Sequence, residues 1–309
     1  MFQFPLISKS LIKIAVVGDV HELWQPIEDR LALQALGVDL VLFVGDFGNE
    51  AVEVVQAIAS LDIPKAVILG NHDAWYSTGN PHSKNPSKKQ CPYDRTKEDR
   101  VQQQLEILGE THVGYGWLDF PELRLSVVGA RPFSSGGSKW KKQHFYRDRY
   151  GINCFTESTQ RITEAVKQTS QDTLIFLGHS GPWGLGADEH SPCGKDWKPV
   201  GGDYGDPDLM DAISKSYGMG KQIPLVTFGH MHHRLRHNSQ RTREAIATND
   251  MGTVFLNAAC SPRLIIESDQ TYRSFSIVTL ESGQVQQISL LWLKGIDQIS
   301  NEIVLLANN

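Results

Sequence analysis

The chain has 309 residues, a formal net charge of −5 at pH 7, and 40% hydrophobic against 21% charged residues. That balance excludes a disordered chain and confines any anion-binding surface to local clusters. Its four cysteines (Cys91, Cys154, Cys193, Cys260) contain no CxxC pair, which excludes a disulfide-stapled mini-protein and a cysteine zinc finger. No apolar run reaches the roughly 20 residues of a membrane span. The N-terminal residues run into a strand-like segment without a cleavage-site pattern, so a soluble, cytoplasmic protein is expected.

Residues 11–17, 40–44 and 66–69 are short apolar runs, ending at Gly18, Gly45 and Gly70. Between them, residues 26–36 and 51–61 carry apolar side chains at helical spacing. Strand–helix alternation with continuously apolar strands predicts a parallel sheet buried on both faces. Residues 77–100 are rich in Pro, Ser, Asn and Lys and read as a long loop, followed by a helix over about 98–108. A strand is expected over 123–128, an irregular insertion over 134–150, a helix over 156–167 and a strand over 174–177 ending at Gly178-His179. A further irregular insertion covers 181–205. The next strand, 225–228, ends at Gly229-His230, and a β-rich tail spans 254–292 with a turn at Ser282-Gly283. No repeat or linker divides the chain, so one domain over 1–309 is expected, with insertions at about 77–100, 134–150 and 181–205.

Metal-type ligands follow the expected strand ends: Gly18-Asp19-Val20-His21, Gly45-Asp46, Gly70-Asn71-His72-Asp73, Gly178-His179 and Gly229-His230-Met231-His232. A lone Asp-x-His or buried His has an ordinary structural explanation. Together they point to one cation centre, because strand ends of one sheet converge and so many buried carboxylates and imidazoles are costly without a cation. The number of ligands suits two ions. Asp19, His21, Asp46 and His232 would complete one site, and Asp46, Asn71, His179 and His230 the other, with Asp46 bridging. Nitrogen and oxygen donors without thiolate favour Mn, Fe, Zn, Co or Ni. A water bridging such ions is ionised near neutral pH and supplies a nucleophile.

The order D-x-H, G-D, G-N-H-D, G-H, G-H-x-H, from Asp19 to His232, resembles the calcineurin-like metallophosphoesterase superfamily. The resemblance implies a four-layer αββα sandwich of two mixed β-sheets flanked by helices, a dinuclear centre at the strand ends, and hydrolysis of phosphate esters by hydroxide attacking phosphorus. It also implies a catalytic, non-ligand role for His72, as general acid or as a donor that stabilises the transition state together with Asn71. The protein Ser/Thr phosphatases of this superfamily carry G-D-x-V-D-R-G at the second motif. Here it reads Gly45-Asp46-Phe47-Gly48-Asn49-Glu50, without the Arg and with Asn49 where the second Asp would stand. The pattern is more similar to the small-molecule and phosphodiesterase branch. Monoester hydrolysis, protein-phosphatase activity and a metal-containing scaffold without catalysis stay open as alternatives.

The expected partner is an anionic, phosphate-containing small molecule; nothing points to a nucleic-acid or protein partner. Basic residues cluster over 84–100 and 139–149, and again at Arg234, Arg236, Arg241 and Arg243. Aromatic residues lie among those of the second cluster, and such a mixture can stack a base while pairing phosphates. Arg131, Lys141 and Lys142 are the residues expected to contact substrate. Gly178-His179-Ser180-Gly181-Pro182 lacks the second Gly of a nucleophile elbow, and no G-x-G-x-x-G follows the first strand. A serine hydrolase and a dinucleotide-binding domain are therefore not expected.

Overall fold

The computed structural model describes residues 10–78, 91–236 and 241–308. The chain opens as the sequence predicts, with β1 (Leu11–Val17), α1 (Pro26–Ala35), β2 (Leu40–Phe43), α2 (Val52–Ala59) and β3 (Lys65–Val67). Strands β1, β2 and β3 pair in parallel. Every residue of β2 is buried, which is why the run is continuously apolar rather than alternating. Pro26 starts α1 at the first turn, where its missing N–H costs nothing.

Then follow α3 (Arg100–Leu108), β4 (Trp117–Phe120), β5 (Leu125–Gly129), α4 (Gln143–Tyr150), α5 (Phe155–Gln168), β6 (Thr173–Leu177), α6 (Pro207–Gly218) and β7 (Gln222–Phe228). The tail is all strand: β8 (Ile246–Thr248), β9 (Val254–Asn257), β10 (Leu264–Glu267), β11 (Gln270–Glu281), β12 (Gln284–Lys294) and β13 (Gln298–Ala307). The expected turn at Ser282-Gly283 joins β11 to β12, with both residues at positive φ (51° and 77°).

The strands form two mixed sheets, ordered β13-β12-β11-β1-β2-β3 with β10 on β11, and β4-β5-β6-β7-β9-β8. One apolar core lies between the sheets and reaches under α5 and α6, through Ile162, Val166, Leu209 and Ile213. A second lies between the first sheet and α1, α2 and α3, around Leu33, Val55, Ile58 and Val101. The layers are therefore helix, sheet, sheet, helix, as the resemblance implied.

The structure corrects the sequence reading in two places. The 134–150 insertion is not wholly irregular, because it contains α4, which ends at Gly151 in the left-handed region. Helix α6 and strands β4, β8 and β13 were not expected. Part of the 77–100 loop lies outside the described residues, including its basic residues Lys84, Lys88 and Lys89. Among the described residues, no helix is long and apolar enough to cross a membrane.

Candidate metal centre

The loops after β1, β2, β3, β6 and β7 carry the predicted ligands to one place between the two sheets. Close backbone approach makes this possible. A Cβ on Gly70 would strike the Asp46 carboxylate, and one on Gly229 would strike that of Asp19, so only glycine fits at either position. The loops are stitched together by His21 N–H donating to Asp46 O (2.8 Å) and Glu22 N–H donating to Phe47 O (2.7 Å).

Two groups emerge around Asp46. Ligand atoms of Asp19, His21 and His232 lie within 4.8 Å of one another, and so do those of Asp46, His179 and His230. Asn71 joins the second group, its Oδ1 3.1 Å from His179 Nε2. A third combination, His21 with Asp46 and His72, meets the same limit and connects the two. All seven predicted ligands are therefore brought together, with Asp46 between the groups.

The donor chemistry fits cations. His21 Nε2 and His232 Nε2 face each other at 3.1 Å, and His232 Nε2 is 3.0 Å from Asp19 Oδ2. Two imidazole nitrogens and a carboxylate at such distances form a natural transition-metal site. His179 Nδ1 donates to Val44 O (2.7 Å), which fixes the tautomer and leaves Nε2 to ligate. Burial pushes the Asp19 carboxyl up, but hydrogen bonding and charge from His232 outweigh it and hold the group well below the usual carboxylate range. Burial likewise opposes ionisation of Asp46, and the neighbouring His179 imidazole outweighs it. Both carboxylates are thus in the ionised form that metals require.

His72 lies at the edge of this cluster. Its Nδ1 donates to Asn49 Oδ1 (2.7 Å), leaving Nε2 3.9 Å from Asp46 Oδ2. The indole of Trp75 stacks on the ring at 4.6 Å and 13°. Burial depresses the imidazole pKa, because desolvation disfavours its cation.

Two supports were not assigned a role from the sequence. Asp73, fully buried, accepts backbone N–H bonds from Asp46 (2.9 Å), Phe47 (2.9 Å) and Gly70 (2.7 Å). It ties the β2 and β3 loops into one unit; the closing Asp of Gly70-Asn71-His72-Asp73 was the signal available. Trp75 is the other, and only its nearness to His72 in sequence pointed to it.

The predicted substrate residues fare unequally. Arg131 is a correction. It is 3% exposed, and its guanidinium donates to Asp206 (2.5 Å) and Asp208 (2.9 Å), a buried ion-pair network rather than a phosphate contact. Lys142 Nζ donates to Phe133 O (2.9 Å) and does not line the cleft over the centre. Lys141 does. That cleft, of about 410 Å³, is bordered by Asp46, His72, His230 and His232 and also by Lys141, Trp197, Tyr204, Arg234 and Arg236.

An α/β sandwich with convergent oxygen and nitrogen donors at its strand ends defines a candidate metal centre. The sequence model described as calcineurin-like phosphoesterase matches residues 12–234, more than half of the chain and every ligand-bearing loop, and the protein belongs to that family. No curated protein matches. Among solved structures, one aligns over 91% of this chain and 98% of its own at 10% identity, with a TM-score of 0.53. A dimetal phosphatase from Danio rerio aligns over 96% and 99% at 11% identity with a TM-score of 0.47. A hypothetical protein from Thermus thermophilus aligns over 92% and 100% at 12% identity with a TM-score of 0.48. The first of these likenesses bears on the fold alone.

Proposed function

We propose that this protein hydrolyses small-molecule phosphate esters, with phosphodiesters and nucleotides as its preferred class. The observation that supports this most is the cleft. Its volume of about 410 Å³ suits a ligand of nucleotide size. Its border joins metal-type ligands to cations and aromatic rings.

Asp19, His21, Asp46 and His232 would hold one cation, and Asp46, Asn71, His179 and His230 a second. Such a pair of ions supplies Lewis acidity toward phosphoryl oxygens and lowers the pKa of water. The chain's own groups orient and complete the site. Because Asn49 engages Nδ1 of His72, its Nε2 faces Asp46 and the cleft. From there it can protonate a leaving oxygen or donate to charge building on the phosphoryl group. The Asn71 side chain adds an amide NH2 donor for the same charge.

A screen of nucleotides, cyclic nucleotides, sugar phosphates and aryl phosphodiesters with Mn²⁺-supplemented protein tests the reading. At least one small ester should be turned over, and a chelator should abolish the turnover. Absence of turnover across the panel, or turnover indifferent to chelation, would overturn it.

A further inference from the structure

We infer that the cleft holds a second anion subsite formed by Lys141, Arg234 and Arg236 along a wall of Tyr204 and Trp197, so that the substrate carries a second phosphate-type group beyond the ester that is cleaved. The inference rests on the phosphoesterase reading above and narrows its substrate class.

Three stretches far apart in sequence build this wall beside the metal-type ligands: Ser135 and Lys141, then Asp196, Trp197 and Tyr204, then Arg234 and Arg236. Cations and rings alternate along it. Lys141 Nζ lies 4.5 Å from the centroid of Tyr204 and donates to Gly136 O (2.8 Å). Tyr204 meets Trp197 edge to face at 4.6 Å, and the Arg236 guanidinium lies 5.4 Å from the Trp197 centroid. Each ring fixes a cation without neutralising it, since a quadrupole carries no net charge. An ammonium group with one carbonyl acceptor still has two N–H donors to offer.

The other arginines set these apart. Arg131, Arg263 and Arg273 are buried and paired with aspartates. Arg243, which also borders the cleft, is buried and directs its guanidinium to the carbonyls of Glu189, Ser191 and Gly194 and toward Asp196. Arg234 and Arg236 are exposed, and among the described residues neither has an ion pair. Asp196, a carboxylate of the same cleft, accepts the backbone N–H of Arg236 (2.9 Å) and faces Arg243 (3.6 Å). In a chain of net charge −5, three such cations around one cleft form a concentrated positive wall. A guanidinium fork matches phosphate oxygens two at a time. A protonated Lys or Arg does not ligate a cation, so all three stay available to an anionic group of a substrate lying in the cleft.

The test uses matched ligands on Mn²⁺-loaded protein: thymidine 5′-monophosphate and thymidine 3′,5′-bisphosphate by calorimetry, and their 5′-(p-nitrophenyl) esters by turnover. The wild type should bind the bisphosphate about tenfold more tightly, as expected for one added charge-assisted contact, and the advantage should appear in KM rather than kcat. In Arg234→Ala/Arg236→Ala the ratio of the two affinities should fall to near one. In Arg234→Lys/Arg236→Lys part of it should survive. A wild-type ratio near one, or a ratio unchanged in the alanine variant, would overturn the subsite. The calorimetric arm needs no turnover, so a protein that binds the pair as expected but hydrolyses neither ester would refute the hydrolase reading and leave the subsite standing.

Discussion

Asp46 and His72 are neighbours in space, and the proposed function assigns them different work. Asp46 lies between two ligand groups, whereas His72 is held by Asn49 and Trp75 with Nε2 toward the cleft. His72→Ala should therefore keep its metal while turnover falls by roughly 10²–10⁴, the usual size of a general acid–base contribution. The loss should be smaller for an aryl diester with a good leaving group, which needs no proton. Elemental analysis and paired kinetics decide the matter: loss of metal would make His72 a ligand, and equal losses on good and poor leaving groups would make it an electrostatic donor. At this scale the sequence was informative wherever a motif placed a ligand at the end of an apolar run. It was silent on Arg131, whose position after a strand fits a phosphate contact as well as an ion pair. Only the fold shows that Asp206 and Asp208 meet it.

Between elements, the short segment after α3 joins the two sheets. Val113 N–H donates to Val67 O at the end of β3, and Tyr115 N–H donates to Ala130 O beyond β5. His112 enters this seam with Nε2 buried and, among the described residues, unpartnered, and burial pushes its pKa from 6.5 down to about 4. The folded state thus resists a proton that the unfolded chain accepts, so stability is intact above pH 6.5 and lost as pH falls toward 4. By pH 5 that loss should be about 2 kcal/mol. Denaturant unfolding at pH 7 and pH 5 should show His112→Phe losing less stability than wild type by about that amount; equal losses would remove His112 from the account. The elements that sequence reading missed share a physical cause. Strand β4 is a short, partly exposed edge strand. The first seven residues of β13 are exposed on both faces, so no alternation marks them. Helix α6 did carry a signal, with Pro207 at its start and Leu209, Ala212 and Ile213 on its buried side, but it follows directly on an irregular insertion.

Across the whole molecule, the centre exists because two sheets aim the ends of their parallel strands at one another. Asp19, Asp46 and Asn71 come from the first sheet and His179, His230 and His232 from the second. The opening strand–helix alternation made the first sheet legible. The second emerged from scattered strand ends, while the two-sheet layering came from the family resemblance rather than from hydrophobic pattern. Substrate selection was least legible, because Lys141, Tyr204, Trp197 and Arg236 come from two insertions and the segment after β7, none with a periodic signal. The most direct test of the central claim is a Mn²⁺ titration of chelator-treated protein, following hydrolysis of bis(p-nitrophenyl) phosphate beside Asp46→Ala. Activity should rise from near zero and saturate at about two ions per chain, and the variant should neither bind nor respond. Activity that survives chelation, or an Asp46→Ala protein that titrates like wild type, would contradict the account.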